Sequence, residues 1–168
     1  MIKKIIVAIM VAIPMLVSAQ TIKIGYVDAQ AIMNELPAYK EAQTQFEAIG
    51  KKYDEEYKAM MAEAQKKFEE FQAMQNDTSV LDSVKQRRAQ ELDEMSQKLS
   101  AFEQQAQQEL NKKQQELMQP IVANVQQAIQ SVGKDGAYTM IQETAAALYW
   151  GAPAEDITPQ VKARLGIK

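Results

Sequence analysis

The sequence predicts a mainly α fold with a small β body (α+β): a long antiparallel helical hairpin, a coiled-coil arm, standing on a three-stranded sheet. Two observations carry this. From about Ala38 to Gln119 apolar residues recur at steps of 3 and 4, interrupted once by the polar run Gln75-Asn76-Asp77-Thr78-Ser79, the pattern of two helices folded back at a single turn. On either side lie short stretches of strand-like alternation: Ile22 to Val27 before the arm, Tyr138 to Gln142 and Ala147 to Trp150 after it. An arm two helices thick buries one apolar seam and little else, so its shape, to reach, clamp or surround, is what such a chain has to use.

Taken in order, residues 1–19 read as a signal peptide that is removed. Lys3 and Lys4 supply a basic start, Ile5 to Val17 an apolar stretch broken by Pro14, and Val17-Ser18-Ala19 a small-residue cleavage signal. The stretch is shorter than the roughly 17 to 25 residues a spanning helix needs. The mature chain, from Gln20, is expected to be exported, soluble and periplasmic; without cysteine it has no disulfide framework and no lipid-anchor site. Residues 20–37 form the N-terminal part of the body: a strand ending at Asp28, which caps a short helix carrying Ala31, Ile32 and Met33.

Pro37 suits the first turn of the next helix, and residues 38–119 form the arm, with its tip near 75–79. On the first helix Phe46, Ile49, Tyr53, Tyr57, Met60, Ala64, Phe68 and Phe71 follow the 3/4 rule. Their mean spacing lies between the heptad value and 3.6, so little supercoil is expected. Ser79 followed by Asp82 resembles a capping box for the second helix, whose apolar row from Leu81 continues to Val132. Each helix spans roughly 57 Å at about 1.5 Å per residue, which sets Pro37 and Pro120 at matching heights; Pro120 favours a kink and marks the junction with the body. Residues 120–168 complete that body with a helix root, two strands at Tyr138 to Gln142 and Ala147 to Trp150, and a short helix capped by Thr158-Pro159. So small a sheet, with open edges, is expected to close by oligomerisation.

Composition removes whole classes of function. Without the two leader lysines, 17 basic side chains face 22 acidic ones, a net charge of −5. No basic cluster interleaved with aromatics marks a nucleic-acid binder. The chain has no histidine, hence no Ser-His or Cys-His nucleophile, and it lacks phosphate-binding and dinucleotide glycine motifs. No catalytic residue, metal ligand or cofactor is expected. Acid-first pairs such as Glu47/Lys51, Asp54/Lys58, Glu63/Lys67, Glu94/Lys98 and Glu109/Lys113 support the helices. The eleven glutamines between Gln97 and Gln130 read as uncharged solubilising surface.

The candidate binding residues lie off the seam. Tyr39, Tyr57, Met61 and Phe68 fall to one side of the line through Phe46, Tyr53, Met60 and Phe71. This surplus stripe either faces a cavity and touches apolar partner segments, or packs against a neighbouring subunit. Met74, Val80 and Leu81 bracket the tip; Leu81, in phase with the seam, is expected to staple the hairpin there.

The segments Ile24-Gly25-Tyr26-Val27-Asp28 and Ile32-Met33-Asn34-Glu35-Leu36-Pro37, the hairpin, the Tyr138 to Tyr149 strands and the closing Asp156-Ile157-Thr158 together resemble the Skp/OmpH family of periplasmic chaperones. The resemblance covers residues 22–166. It implies a homotrimer whose strands join in one central body, and three helical arms around a cavity that holds unfolded outer-membrane proteins without ATP. On that footing the client-binding candidates are Tyr57, Met61, Phe68, Met74 and Val80. Known members are basic, whereas the arms here carry −4, so no lipopolysaccharide or membrane contact is carried over. A structural coiled-coil spacer or adaptor docking a folded partner is the rival expectation.

Overall fold

A computed structural model describes residues 22–167; the expected signal peptide lies outside the described residues. The elements in chain order are β1 (Ile24–Val27), α1 (Ala29–Glu35), α2 (Pro37–Gln75), α3 (Asp82–Asp135), β2 (Met140–Glu143), a 3-10 turn (Thr144–Ala146), β3 (Glu155–Asp156) and α4 (Thr158–Arg164). Two long helices and a small sheet are thus the architecture, as the periodicities predict.

The sheet order is β2-β1-β3, and both pairings are parallel, Ile24 opposite Met140 and Gly25 opposite Glu155. β1 is central, and a side chain at Gly25 would crowd the Tyr138 ring at 3.1 Å and Ile141 at 3.3 Å, so the glycine lets the β2 side close over the strand. The second C-terminal strand differs from the expectation: it is Glu155–Asp156, while Ala147 to Trp150 forms none. The alternation there is real, but in a single chain the segment finds no ladder. Trp150 instead stacks on Tyr26 at 5.3 Å between ring centroids and donates from Nε1 to the Thr144 carbonyl at 3.0 Å.

One apolar cluster joins body and arm root: Val27, Ile32, Leu36, Ala42, Ile121, Val125, Ala128, Val132, Ile157 and Val161 are all buried. Around it the helix ends are tied by polar groups. Asp28 Oδ1 accepts from the Ala31 N–H at 2.7 Å, the expected N-cap. Thr158 does not cap its own helix. Its hydroxyl accepts from the Asp28 N–H at 3.0 Å, its own N–H donates to Asp156 Oδ1 at 2.8 Å, and α4 is stitched to the start of α1. Pro37 sits in the first turn of α2, and α3 runs as one helix through Pro120.

At the arm tip the capping box does not form. Leu81 occupies the N-cap position of α3 without a side-chain bond. Ser79 turns the other way, donating from its N–H and its hydroxyl to Asp77 Oδ1 at 2.8 and 2.6 Å. Asp77 organises the turn itself, a local bond that competes with capping across it.

Candidate functional site

The seam of the arm is built from the predicted rows. Met95 and Ala106 of α3 are buried, and Tyr53 of α2 meets Phe102 of α3 at 6.1 Å. Toward the tip the filling changes. Lys67 and Arg88 occupy seam positions, with Lys67 bound to Glu63 at 2.8 Å and Arg88 to Glu91 at 2.6 Å. Glu63 holds the Lys67 ammonium above its usual range, while Arg88 Nε is shielded from solvent without a partner. Distal to this ionic layer no side chain is buried.

The surface ion pairs shift by a turn from the expected set. Asp54 with Lys58 and Glu63 with Lys67 form as predicted. Lys51 takes Glu55 rather than Glu47, Lys113 takes Glu116 rather than Glu109, and Lys98 lies beside Glu63 across the hairpin instead of bonding Glu94. Such exposed pairs are exchangeable at little cost.

The five candidate residues do not stay together as one surface. Tyr57 is half-buried and joins the seam, where Glu103 beside its hydroxyl pushes its pKa up. Met61 and Phe68, two helical turns apart, stand 46% and 45% exposed. Met74 and Val80 are half-buried at the tip. Leu81 is 70% exposed, so it does not staple the hairpin; outside the helix its seam phase has no meaning. Tyr39 packs on the body cluster.

Two further features were missed in the sequence. A groove of 370 Å³ opens between the arm roots, lined by Tyr39, Phe46, Leu117 and Met118; its signal was Tyr39 in the stripe. In the body, Leu148 is fully exposed and Tyr149 is 83% exposed, and Met140 on the edge strand β2 is half exposed. The alternation of 147–150 was their signal, read there as a short strand of the sheet.

Across the start of the three strands Lys23, Tyr138 and Glu155 form a clasp. The Tyr138 hydroxyl donates to Glu155 Oε2 at 2.7 Å, and Lys23 Nζ lies 4.0 Å from the Tyr138 ring centroid and 3.4 Å from Glu155. Arg164 and Asp135 pair nearby. Each member of the clasp lies on or next to a different strand, so the clasp pins β1, β2 and β3 in register. Among the described residues no cluster of His, Cys, Asp or Glu could hold a metal ion, and no helix is long and apolar enough to cross a membrane.

A family described as outer membrane protein (OmpH-like) matches residues 23–165. No curated protein matches. Among solved structures, one from Caulobacter crescentus CB15, described as a candidate outer membrane chaperone (OmpH-like), superposes with a TM-score of 0.72 at 14% identity, covering 86% of this chain and 83% of that one. At that identity the likeness is one of fold.

Proposed function

We propose that this chain, which belongs to the OmpH-like family, is an ATP-independent periplasmic holdase: a homotrimer that binds unfolded outer-membrane proteins between its arms and prevents their aggregation. The body, residues 20–37 and 120–168, joins the three chains. The arm, residues 38–119, holds the client, and no catalysis is involved. The observation that carries the reading is the exposure of Met61 and Phe68 on a two-helix arm whose seam is already filled by other residues. A spacer gains nothing from large apolar groups off the seam.

Tyr57, Met61, Phe68, Met74 and Val80 are the client-contact residues of this reading, with Met61 and Phe68 reachable in the closed hairpin, Met74 and Val80 when the arm tip loosens, and Tyr57 when the seam opens beside it. Contacts of this kind are individually weak and act by number, so a client is retained yet leaves without energy input. Trimerisation rests on the open edge of β2 and on Leu148 and Tyr149, whose exposure a neighbouring chain would relieve. The rival reading, an adaptor that docks a folded partner by its tip, draws support from Leu81 alone.

The test is light scattering of a urea-unfolded outer-membrane β-barrel protein diluted into buffer with and without the mature protein, alongside sedimentation. Suppressed scattering and a single species of three chains are expected. Unchanged scattering refutes the holdase, and a well-folded monomer refutes the assembly.

A further inference from the structure

The charges of the arm are sorted by side. On one side Tyr39 and Gln43 share a groove with Gln114 and Met118, and Tyr57 faces Glu103. On the other, Glu41 and Gln45 share a groove with Pro120 and Asn124, and Glu63 faces Lys98. With the sides fixed by these contacts, about 100° per residue places every other position. Glu91, Glu94, Lys98, Glu109, Lys112 and Glu116 of α3 project on the second side, next to Lys52, Glu63, Lys66 and Glu70 of α2.

The first side is different in kind. Along the same length α3 presents Ser96, Ser100, Gln104, Gln107, Asn111 and Gln114, and the distal half of α2 presents Met61, Gln65, Phe68 and Gln72, all exposed. Gln107 Nε2 donates to Asn111 Oδ1 at 3.1 Å, so part of this row is already an amide ladder. The carboxylates on this side are few: Glu47 lines the same groove as Tyr39, Glu103 lies beside the Tyr57 hydroxyl, Asp93 accepts from Gln97 Nε2 at 2.8 Å and Asp54 holds Lys58 at 2.6 Å. Solubility alone would not thin the charge on one side of a hairpin and line that side with amides.

We propose that this sparsely charged, amide-rich face is where an extended, unfolded polypeptide lies, its backbone amides against the Gln/Asn/Ser row of α3 and its apolar side chains against Met61 and Phe68 of α2. The inference rests on the holdase reading and names the face that performs it. A side-chain amide both donates and accepts, as does each backbone unit of an extended chain, so this pairing needs no particular client sequence. Charge complementarity points the same way. An acidic arm repels acidic segments wherever its charges face them, and the side with fewer charges is the one that discriminates least between acidic and basic chains. Binding on it is insensitive to salt, because little of it is screened when the Debye length falls from about 10 Å at 0.1 M to about 3 Å at 1 M.

The experiment compares two triple variants of the full mature protein that carry equal added charge on the same stretch of α3. One, Gln104→Glu with Gln107→Glu and Asn111→Asp, adds charge to the amide-rich face. The other, Ala101→Glu with Gln105→Glu and Gln108→Glu, lies toward the charged side. All six positions are exposed, so both variants fold. The probe is a fluorescently labelled, urea-unfolded outer-membrane β-barrel protein, its dissociation constant measured at low and high salt. The first variant is expected to bind about tenfold more weakly and to become salt-dependent; the second is expected to match the unmodified protein. Equal affinity in both variants overturns the assignment of the face while leaving the holdase standing. Loss of the trimer in the first variant alone would put a second copy of this chain on the face and overturns it too. An unmodified protein that binds no unfolded chain overturns the holdase reading, and this proposal with it.

Discussion

Replacing Met61 and Phe68 together by serine separates a binding role from a packing role. Each side chain is already about half in water, at 46% and 45% exposure. Full burial of such a residue contributes about 1.5 to 3 kcal/mol, so the buried half of each is worth roughly 1 kcal/mol and the pair roughly 2 kcal/mol. Met95, at 8% exposure in the seam, is the internal comparison: Met95→Ala leaves a cavity and costs about 2 to 5 kcal/mol by itself. Helix content on heating and suppression of client aggregation are measured on the same samples. Met61→Ser with Phe68→Ser is expected to keep a folded trimer at assay temperature and lose much of its holdase activity. Met95→Ala is expected to melt early and retain normal activity per folded trimer. A double variant with normal activity per folded trimer refutes the client-contact role of the two residues.

Three smaller predictions concern the body and the tip. Glu155 is held below its usual value of 4.5, first by the Tyr138 hydroxyl and then by Lys23; a depressed carboxyl contributes stability that is present above its unfolded value and lost as pH falls through the folded one. Thermal melting followed by Trp150 fluorescence should therefore decline below about pH 4.5, and less steeply in Glu155→Gln. Ala137 has a φ of 52° in the turn into β2, so Ala137→Gly should raise the stability of the body by about 1 kcal/mol in urea titration; a decrease would mean the turn is not strained. Hydrogen exchange should be fast at 76–81, where nothing is buried, and slow at 24–27 and 140–143, where strands are paired; uniform protection contradicts a loosely held tip.

The helices were legible because their signal is local. Tyr53, Met60, Phe71, Leu92, Met95 and Phe102 repeat a rule that any window of the arm displays, and the structure places all of them toward the partner helix. Ser79 and Thr158 failed as caps because each had a competitor that lies elsewhere: Asp77 takes Ser79, and Asp28, distant in sequence, takes Thr158. The strand Glu155–Asp156 could not be read, since two exposed acidic residues carry neither alternation nor β propensity. It exists because β1 has a free edge beside it. Ala147 to Trp150 shows the reverse case, a strand-like pattern with no partner inside one chain. In the candidate site, the off-seam position of Met61 and Phe68 was readable from helical phase, but the exposure of Leu81 depended on where α3 starts. The sorting of charge by side needed the contacts across the hairpin that fix which flanks lie together.

The body constrains the arm at its root and leaves its length free. β1 and β2 are neighbours in parallel register, Ile24 opposite Met140, and parallel strands require a crossover; here the crossover is the entire hairpin. What the sheet needs from it is that α2 leave and α3 return side by side, and that is secured at the root by Leu36 and Ala42 against Ile121 and Val125. Everything beyond is held only by its own seam. Removing about two heptads from the middle of α2 together with the facing two from α3 preserves the phase of both apolar rows. The shortened protein should keep its number of chains per assembly and the Trp150 fluorescence of the intact body while losing capacity for long clients. Deleting the same length from α2 alone should instead destroy the Tyr53 to Phe102 pairing and melt the arm. If the symmetric deletion unfolds the body, the arm is part of the scaffold rather than an appendage of it, and its length is set by stability and not by what it holds.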